Sequence, residues 1–320
     1  MKTKISKYMD IKRIEFIVTW ECGGKCKHCQ MGDNINKPGT HRHVLAENAV
    51  EAVKKLSKVF DITSVMTFGG EPLYYPEVTA AIHKAATECG IETREVITNG
   101  YFTNSAEKSA SVAKALSDAG VNHLPISVDA FHQEHIPIEP VYQFVRDVIN
   151  AKIPDAFLHT AWLVNEEHEN PYNTKTREIL EKFSDLPIPV GKHGGVGPSG
   201  YAAKYLREYF TETIDSELEN CGPCSAPLNV TCISIEPSGD VGVCGGTIGN
   251  IYEEDILNII ARYNPYEHES MLALIKGGVS GLLEYAKTQG VVIDTSEYCE
   301  ACWSLCAAVS KRLKSQSRSE

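Results

Sequence analysis

Short runs rich in β-branched and apolar residues recur along the first two-thirds of the chain. They are IEFIVT (14–19), ITSVMTF (62–68), TREVIT (93–98), HLPISV (123–128), FLHTAWLV (157–164) and PIPVG (187–191). Between them, apolar positions return every three or four residues, the period of a helix with one buried face. Leu45, Ala49, Val53, Leu56 and Val59 form the first such face. A second helix is expected to open at Pro76 and end before Gly90, with proline in the first turn and glycine past the last. Asn104 with Glu107 reads as a capping box for a third helix that stops at Gly120. Val141, Phe144, Val145 and Val148 mark a fourth helix, and Ile179, Leu180 and Phe183 a fifth. Five helices between six strands predict an α/β fold, a parallel βα series with right-handed crossovers. Six units fall short of an eight-stranded barrel, which leaves an open partial barrel or a doubly wound sheet.

After Gly191 the pattern changes. A helix is expected near 201–219, followed by the cysteine-rich stretch CGPCSAPLNVTCISIEPSGDVGVC (221–244). A helical segment broken by glycines then leads to CEACWSLC (299–306). This predicts two domains, an α/β unit over 1–195 and a smaller cysteine-rich unit over 196–320. GVGPSG (195–200) matches G-x-G-x-x-G, but it comes last in the βα series and no strand with an acidic residue for a ribose follows. It is therefore read as a turn rather than a dinucleotide site.

Composition narrows the function. The 320 residues are 42% hydrophobic and 23% charged, as in a globular protein. A formal charge of −11 argues against a phosphate-coating surface, so no nucleic-acid partner is expected. The basic start MKTKISKYMDIKRIEF is followed by no apolar run that could serve as a signal peptide or membrane span. A cytoplasmic protein without a membrane partner is expected. Eleven cysteines exceed the needs of packing, and in a reducing compartment they point to metal or redox chemistry.

Cys22, Cys26 and Cys29 follow the first strand, at the end of a parallel sheet that carries active sites in barrels. Gly23 and Gly24 let that loop wrap closely around a bulky group. Tetrahedral zinc is one reading, with His28 as a fourth ligand, though one short loop would then have to bend all four ligands onto one ion. An iron–sulfur cluster is the other, with three thiolates on three irons and the fourth iron open.

The spacing C-x3-C-x2-C after a first strand resembles the signature of the radical S-adenosylmethionine (radical SAM) superfamily; His28 departs mildly from the aromatic often found before the third cysteine. FGGEPL (68–73), ending the second strand, is similar to that family's GGEP motif. The resemblance implies a partial (β/α)6 barrel and a [4Fe–4S] cluster on Cys22, Cys26 and Cys29 that binds S-adenosyl-L-methionine. It further implies cofactor contacts from Gly69, Gly70, Glu71 and Pro72, with the Glu71 carboxylate suited to an ammonium. TNG (98–100) and ISVD (126–129) end later strands where the family places polar contacts, which makes Asn99, Ser127 and Asp129 cofactor ligands by resemblance. FLHTAWLV lacks the family's G-x-I-x-G-x-x-E pattern, so no adenine contact is carried over.

The activity implied is reductive cleavage of S-adenosylmethionine to a 5′-deoxyadenosyl radical, which abstracts a substrate hydrogen. A flavodoxin- or ferredoxin-type reductant is the implied partner. Asp129 and His132 are candidate catalytic groups for later proton transfers, and His132 with His135 could instead form a metal pair or a solvated loop.

Seven cysteines follow residue 220. Cys224, Gly239 and Cys244 fit C-x14-G-x4-C around a PSGD turn, and resemble the opening of a SPASM or twitch auxiliary cluster domain. The terminal C-x2-C-x3-C is shorter than the full SPASM pattern. The resemblance implies an auxiliary [4Fe–4S] cluster on Cys224, Cys244, Cys299 and Cys302. Cys221, Cys232 and Cys306 are left as extra ligands or as a hydrogen-atom donor; a structural zinc site is the alternative. Cys89 reads as a core residue. Such auxiliary domains accompany oxidoreductases that modify peptides or proteins by epimerisation, crosslinking or oxidation, which sets a peptide or protein substrate as the first expectation. A small-molecule substrate, or an electron-transfer role without catalysis, is the alternative.

Overall fold

A computed structural model describes residues 5–192, 195–197, 199–210, 222–244, 246–293, 305–306, 309–310 and 312–313. Five parallel strands build the sheet in chain order: β1 (Met9–Thr19), β2 (Ser64–Gly69), β3 (Thr93–Val96), β4 (His123–Ser127) and β5 (Asp155–His159). Crossovers carry the helices α1 (Ala46–Val59), α2 (Pro76–Glu88), α3 (Ala106–Asp118), the short α4 (Ala130–Gln133) and α5 (Ile138–Ala151). A sixth helix, α6 (Pro171–Glu181), follows β5 and a two-residue strand β6 (Trp162–Leu163). This is the expected α/β architecture.

Alternation along β1 sorts the two faces. Ile14, Phe16 and Val18 are fully buried in a core shared with Ala49, Val53 and Leu56 of α1. Their neighbours Glu15 and Ile17 face the interior cavity. Arg13, on that inner face, donates to Glu15 at 2.7 Å, Glu95 at 2.8 Å and Ser64 at 2.9 Å, and so ties β1, β2 and β3 together across the barrel floor.

Two local expectations shift. The third helix is capped by Ser105 rather than Asn104: the Ser105 hydroxyl accepts the Lys108 N–H at 3.2 Å and donates to Glu107. PIPVG does not become a sixth strand; it makes a single parallel bridge, Leu158 to Val190. Pro187 and Pro189 lack the N–H groups a ladder requires. The bridge therefore rests on the Pro189 carbonyl and the Gly191 N–H, each paired with Leu158 at 2.9 Å.

The chain after 195 does not stand apart from the barrel. β7 (Gly195–Val196) pairs with β6, and α7 (Tyr201–Tyr205) follows. β8 (Val230–Ile235) then returns to the main sheet, parallel to β1 on the side opposite β2, and β9 (Asp240–Val243) and β10 (Gly246–Asn250) extend it as antiparallel strands. The order is β10-β9-β8-β1-β2-β3-β4-β5. Ile248, Ile251, Ile256, Ile259 and Ile260 share one core with Ile14 and Phe16. Lys55 of α1 pairs with Asp255, and Asn48 donates to the Ile251 carbonyl at 3.1 Å. The change in packing comes later: Leu274, Val279, Leu282, Leu305, Cys306 and Val309 form a smaller core of their own. The helix Glu269–Thr288 that spans this change is kinked at Gly278, whose φ of 59° is open to glycine at little cost. Cys221, Cys299, Cys302 and the later part of the helix expected to 219 lie outside the described residues. Among the described residues no helix is long and apolar enough to cross a membrane.

Candidate active site

Cys22, Cys26 and Cys29 sit in the loop leaving β1, at the C-terminal edge of the sheet. Cys26 is buried, and Cys22 and Cys29 are half-buried. The three thiols converge: a Cβ built on Gly24 would lie 3.2 Å from the Cys26 sulfur and 3.5 Å from that of Cys22. Burial and the nearby Glu71 carboxylate push the Cys22 thiol up to about 12. Burial, then Asp129 and the other two thiols, raises Cys26 as well, and burial raises Cys29. Three desolvated sulfurs that ionise with difficulty are a donor set that a metal centre relieves, because the metal supplies the positive charge that stabilises thiolates. The residues therefore fit a thiolate-bound cluster.

The loop is fixed on several sides. Gly70 N–H donates to the Thr19 carbonyl at 2.7 Å, and Glu71 N–H to the Glu21 carbonyl at 2.8 Å. A Cβ on Gly70 would come within 2.2 Å of the Glu21 carbonyl oxygen. The glycines of FGGEPL thus answer first to the crowding of residues 19–21, while both also border the cavity. Gly200, the last glycine of GVGPSG, has φ 56°, and a Cβ there would stand 2.5 Å from the Cys29 carbonyl oxygen. Tyr201 N–H donates to that same carbonyl at 3.0 Å. The motif is a turn that supports the third cysteine.

Glu71 caps the 3-10 turn that follows β2. It is fully buried, its Oε1 accepts from Leu73 N–H at 2.9 Å and Thr98 Oγ1 at 2.7 Å, and its Oε2 accepts from Asn99 N–H at 2.8 Å. Its carboxylate organises the end of β3. Pro72 is likewise buried at the start of a 3-10 turn. Burial nevertheless wins over these three donors and holds the Glu71 carboxyl up at about 7. A raised carboxyl pKa means the folded state favours the protonated form. The stabilisation is fully present below the ordinary value of 4.5 and is lost as pH rises through about 7. Urea unfolding of cluster-free protein should show this loss between pH 5 and 8, and Glu71→Gln should flatten it. Glu71→Ala strands three buried donors and is expected to cost about 3 kcal/mol. A loss within error of zero in the same titration would remove this organising role.

Asn99 and Ser127 border the cavity. The Asn99 amide also donates toward the Cys22 sulfur at 3.6 Å, and its Oδ1 accepts the Tyr101 N–H at 2.8 Å. Asp129 is fully buried and accepts from Phe131 N–H, His132 N–H, His132 Nδ1 and Ala161 N–H at 2.8–3.1 Å. Burial opposes its ionisation, but His132, by charge and hydrogen bond, and His28 hold its carboxyl well below the usual range. His132 is oriented by that carboxylate and borders the cavity. His28, Asp129 and His132 form a group whose ligand atoms lie within 4.8 Å of one another. His135 stands outside it, 4.0 Å from Glu134. Burial, then His132, pulls His28 down to about 4 and keeps it neutral.

Of the later cysteines, Cys224, Cys244 and Cys306 come together. Hydrogen bonds from Cys306 and then Cys224 lower Cys244 to about 7 against the effect of burial. Cys306 is buried, and Cys244 and Cys306 border the same cavity as the first loop. Cys306, left as an extra by its spacing, therefore belongs with the paired cysteines. Cys232 does not: β8 turns it toward Glu15 in the barrel interior, where burial and Glu15 push its thiol up to about 12. Cys89 packs half-buried at the edge of the main core. Sequence spacing gave no sign of Glu15, His159 or Thr160, which border the cavity; the inward positions of strand alternation were the available signal. The Thr160 hydroxyl is buried without a hydrogen-bond partner.

A mostly parallel α/β sheet thus carries a three-cysteine loop over its C-terminal edge, opening on a cavity of about 1930 Å³. The radical SAM superfamily domain matches residues 16–211. The chain belongs to the radical SAM superfamily, a class that uses a [4Fe–4S] cluster, S-adenosylmethionine and a reductant. It is 27% identical over 236 residues to the GTP 3′,8-cyclase of Alkaliphilus metalliredigens (strain QYMF), covering 70% of this chain and 68% of that one. The GTP 3′,8-cyclases of Limosilactobacillus fermentum (strain NBRC 3956 / LMG 18251) and Listeria monocytogenes serotype 4b (strain CLIP80459) are each 28% identical. Those matches span only 34% and 38% of the relatives' lengths, and 38% and 42% of this chain. The solved structure of native anSMEcpe with bound AdoMet is similar in fold, with a TM-score of 0.52 at 15% identity, covering 96% of this chain and 97% of that one.

Proposed function

We propose that this protein is a radical SAM enzyme acting on a small-molecule substrate held in the cavity that both groups of cysteines border. The carrying observation is that one cavity is bordered both by Cys22, Cys26, Cys29, Gly69 and Gly70 and by Cys244 and Cys306. The similarity to proteins named GTP 3′,8-cyclase supports a small molecule over the peptide or protein that the cysteine spacing first suggested. Cys22, Cys26 and Cys29 would hold the first cluster, and Cys224, Cys244 and Cys306 would contribute to an auxiliary one. When bound there, the first cluster and S-adenosylmethionine would supply one-electron reductive chemistry, with the electron drawn from an external reductant. The residues of the chain bind and orient. Asn99 and Ser127 offer polar contacts at the strand ends, and His132, held by Asp129, can take up or release a proton at the cavity wall.

Anaerobic protein given dithionite and S-adenosylmethionine tests the reading. 5′-Deoxyadenosine should rise above the substrate-free rate with GTP or with an ultrafiltered, peptide-free metabolite extract. A rise only with a peptide or protein fraction would restore the peptide reading. No 5′-deoxyadenosine under any condition would favour an electron carrier.

A further inference from the structure

We propose that Asn36 is a positioning residue that holds the first cysteine of the loop and couples it to the rim of the cavity. This inference rests on the reading that Cys22 is a cluster ligand. The Asn36 side chain meets both main-chain groups of Cys22: the Cys22 N–H donates to Oδ1 at 3.0 Å, and Nδ2 donates to the Cys22 carbonyl at 2.9 Å. Its own N–H donates to the Trp20 carbonyl at 2.8 Å. Three hydrogen bonds to residues 20–22 are what a neighbouring strand would provide, here supplied by one residue of a loop.

The geometry is selective for asparagine. Asn36 has φ 57°, in the left-handed region where asparagine is the best tolerated residue after glycine. The pairing needs an acceptor and a donor at the same reach. Aspartate loses the donor, glutamine is one methylene too long, and glycine keeps the backbone but loses both contacts. Asn36 is itself exposed, so the site is not explained by core packing. Its neighbours Met31, Ile35 and Lys37 border the cavity. Displacement of that rim is therefore transmitted to the main chain of Cys22. The far end of the loop is held separately, by the Tyr201 N–H on the Cys29 carbonyl.

The test compares wild type, Asn36→Gly and Asn36→Asp as anaerobic holoprotein. A ferrous chelator should strip iron faster from Asn36→Gly by about tenfold, as for other residues that orient metal ligands, with Asn36→Asp in between. In the cluster-free chain, alkylation mapped by mass spectrometry should rise at Cys22 relative to Cys29, while the thermal midpoint stays near that of wild type. Unchanged iron loss and an unchanged Cys22 to Cys29 ratio in both variants would overturn the proposal. So would a fall in the thermal midpoint that accounts for the iron loss in both. If wild-type protein holds no iron at this loop, it is the cluster assignment that fails; the Cys22 labelling still tests Asn36.

Discussion

Replacing Cys22, Cys26 and Cys29 together with alanine should abolish formation of 5′-deoxyadenosine and remove about half of the iron, one four-iron cluster of two. The loss should be complete because the three thiols form one donor set. Each lies in the same loop, each is raised by burial, and Cys22 and Cys26 are raised further by the other sulfurs. The triple variant should keep its fold, since the backbone ties at Thr19, Glu21 and Cys29 do not use the sulfurs. Continued cleavage of S-adenosylmethionine in that variant would sink the assignment.

The second large effect separates two cysteines that spacing alone could not. Cys306→Ala should lower total iron from about eight to about four per chain and destabilise the small core, because metal binding there is also folding energy. Cys232→Ala should leave iron unchanged. Cys306 meets Cys244 beside Cys224, in a core with Leu274, Leu282 and Val309. Cys232 instead faces Glu15 across the barrel interior. Iron analysis on the two purified variants decides the matter, and equal losses in both would show that the partition is wrong. A Cys232 variant that keeps its iron but stalls after forming 5′-deoxyadenosine would mark that thiol as a participant in the later chemistry.

Much of the barrel was legible because its signals are local. The apolar period of Ala49, Val53 and Leu56, the proline at 76 and the alternation along 14–19 each act within a few residues, and the helices and strands formed where these signals lie. The three-cysteine loop was legible for the same reason. What escaped was set by distance along the chain. Nothing near Val230 announces that its strand will pair with Met9. The motif that singled out Glu71 is local, but its carboxylate takes donors from Thr98 and Asn99, about one βα unit away. Asp129 likewise accepts from His132 and Ala161. Cys306 looked surplus until the fold brought it to Cys244.

The pairing of β8 with β1 also governs how the chain can be made. Ile14 and Phe16 are shielded partly by Val230, Ile233 and Ile260, so β1 waits for partners synthesised more than two hundred residues later. Until then its edge is unpaired and its apolar side chains are open to other chains. Contacts of such long sequence separation slow folding and lengthen that exposure. A fragment ending at residue 195 would keep this exposure permanently. Such a fragment would be prone to self-association.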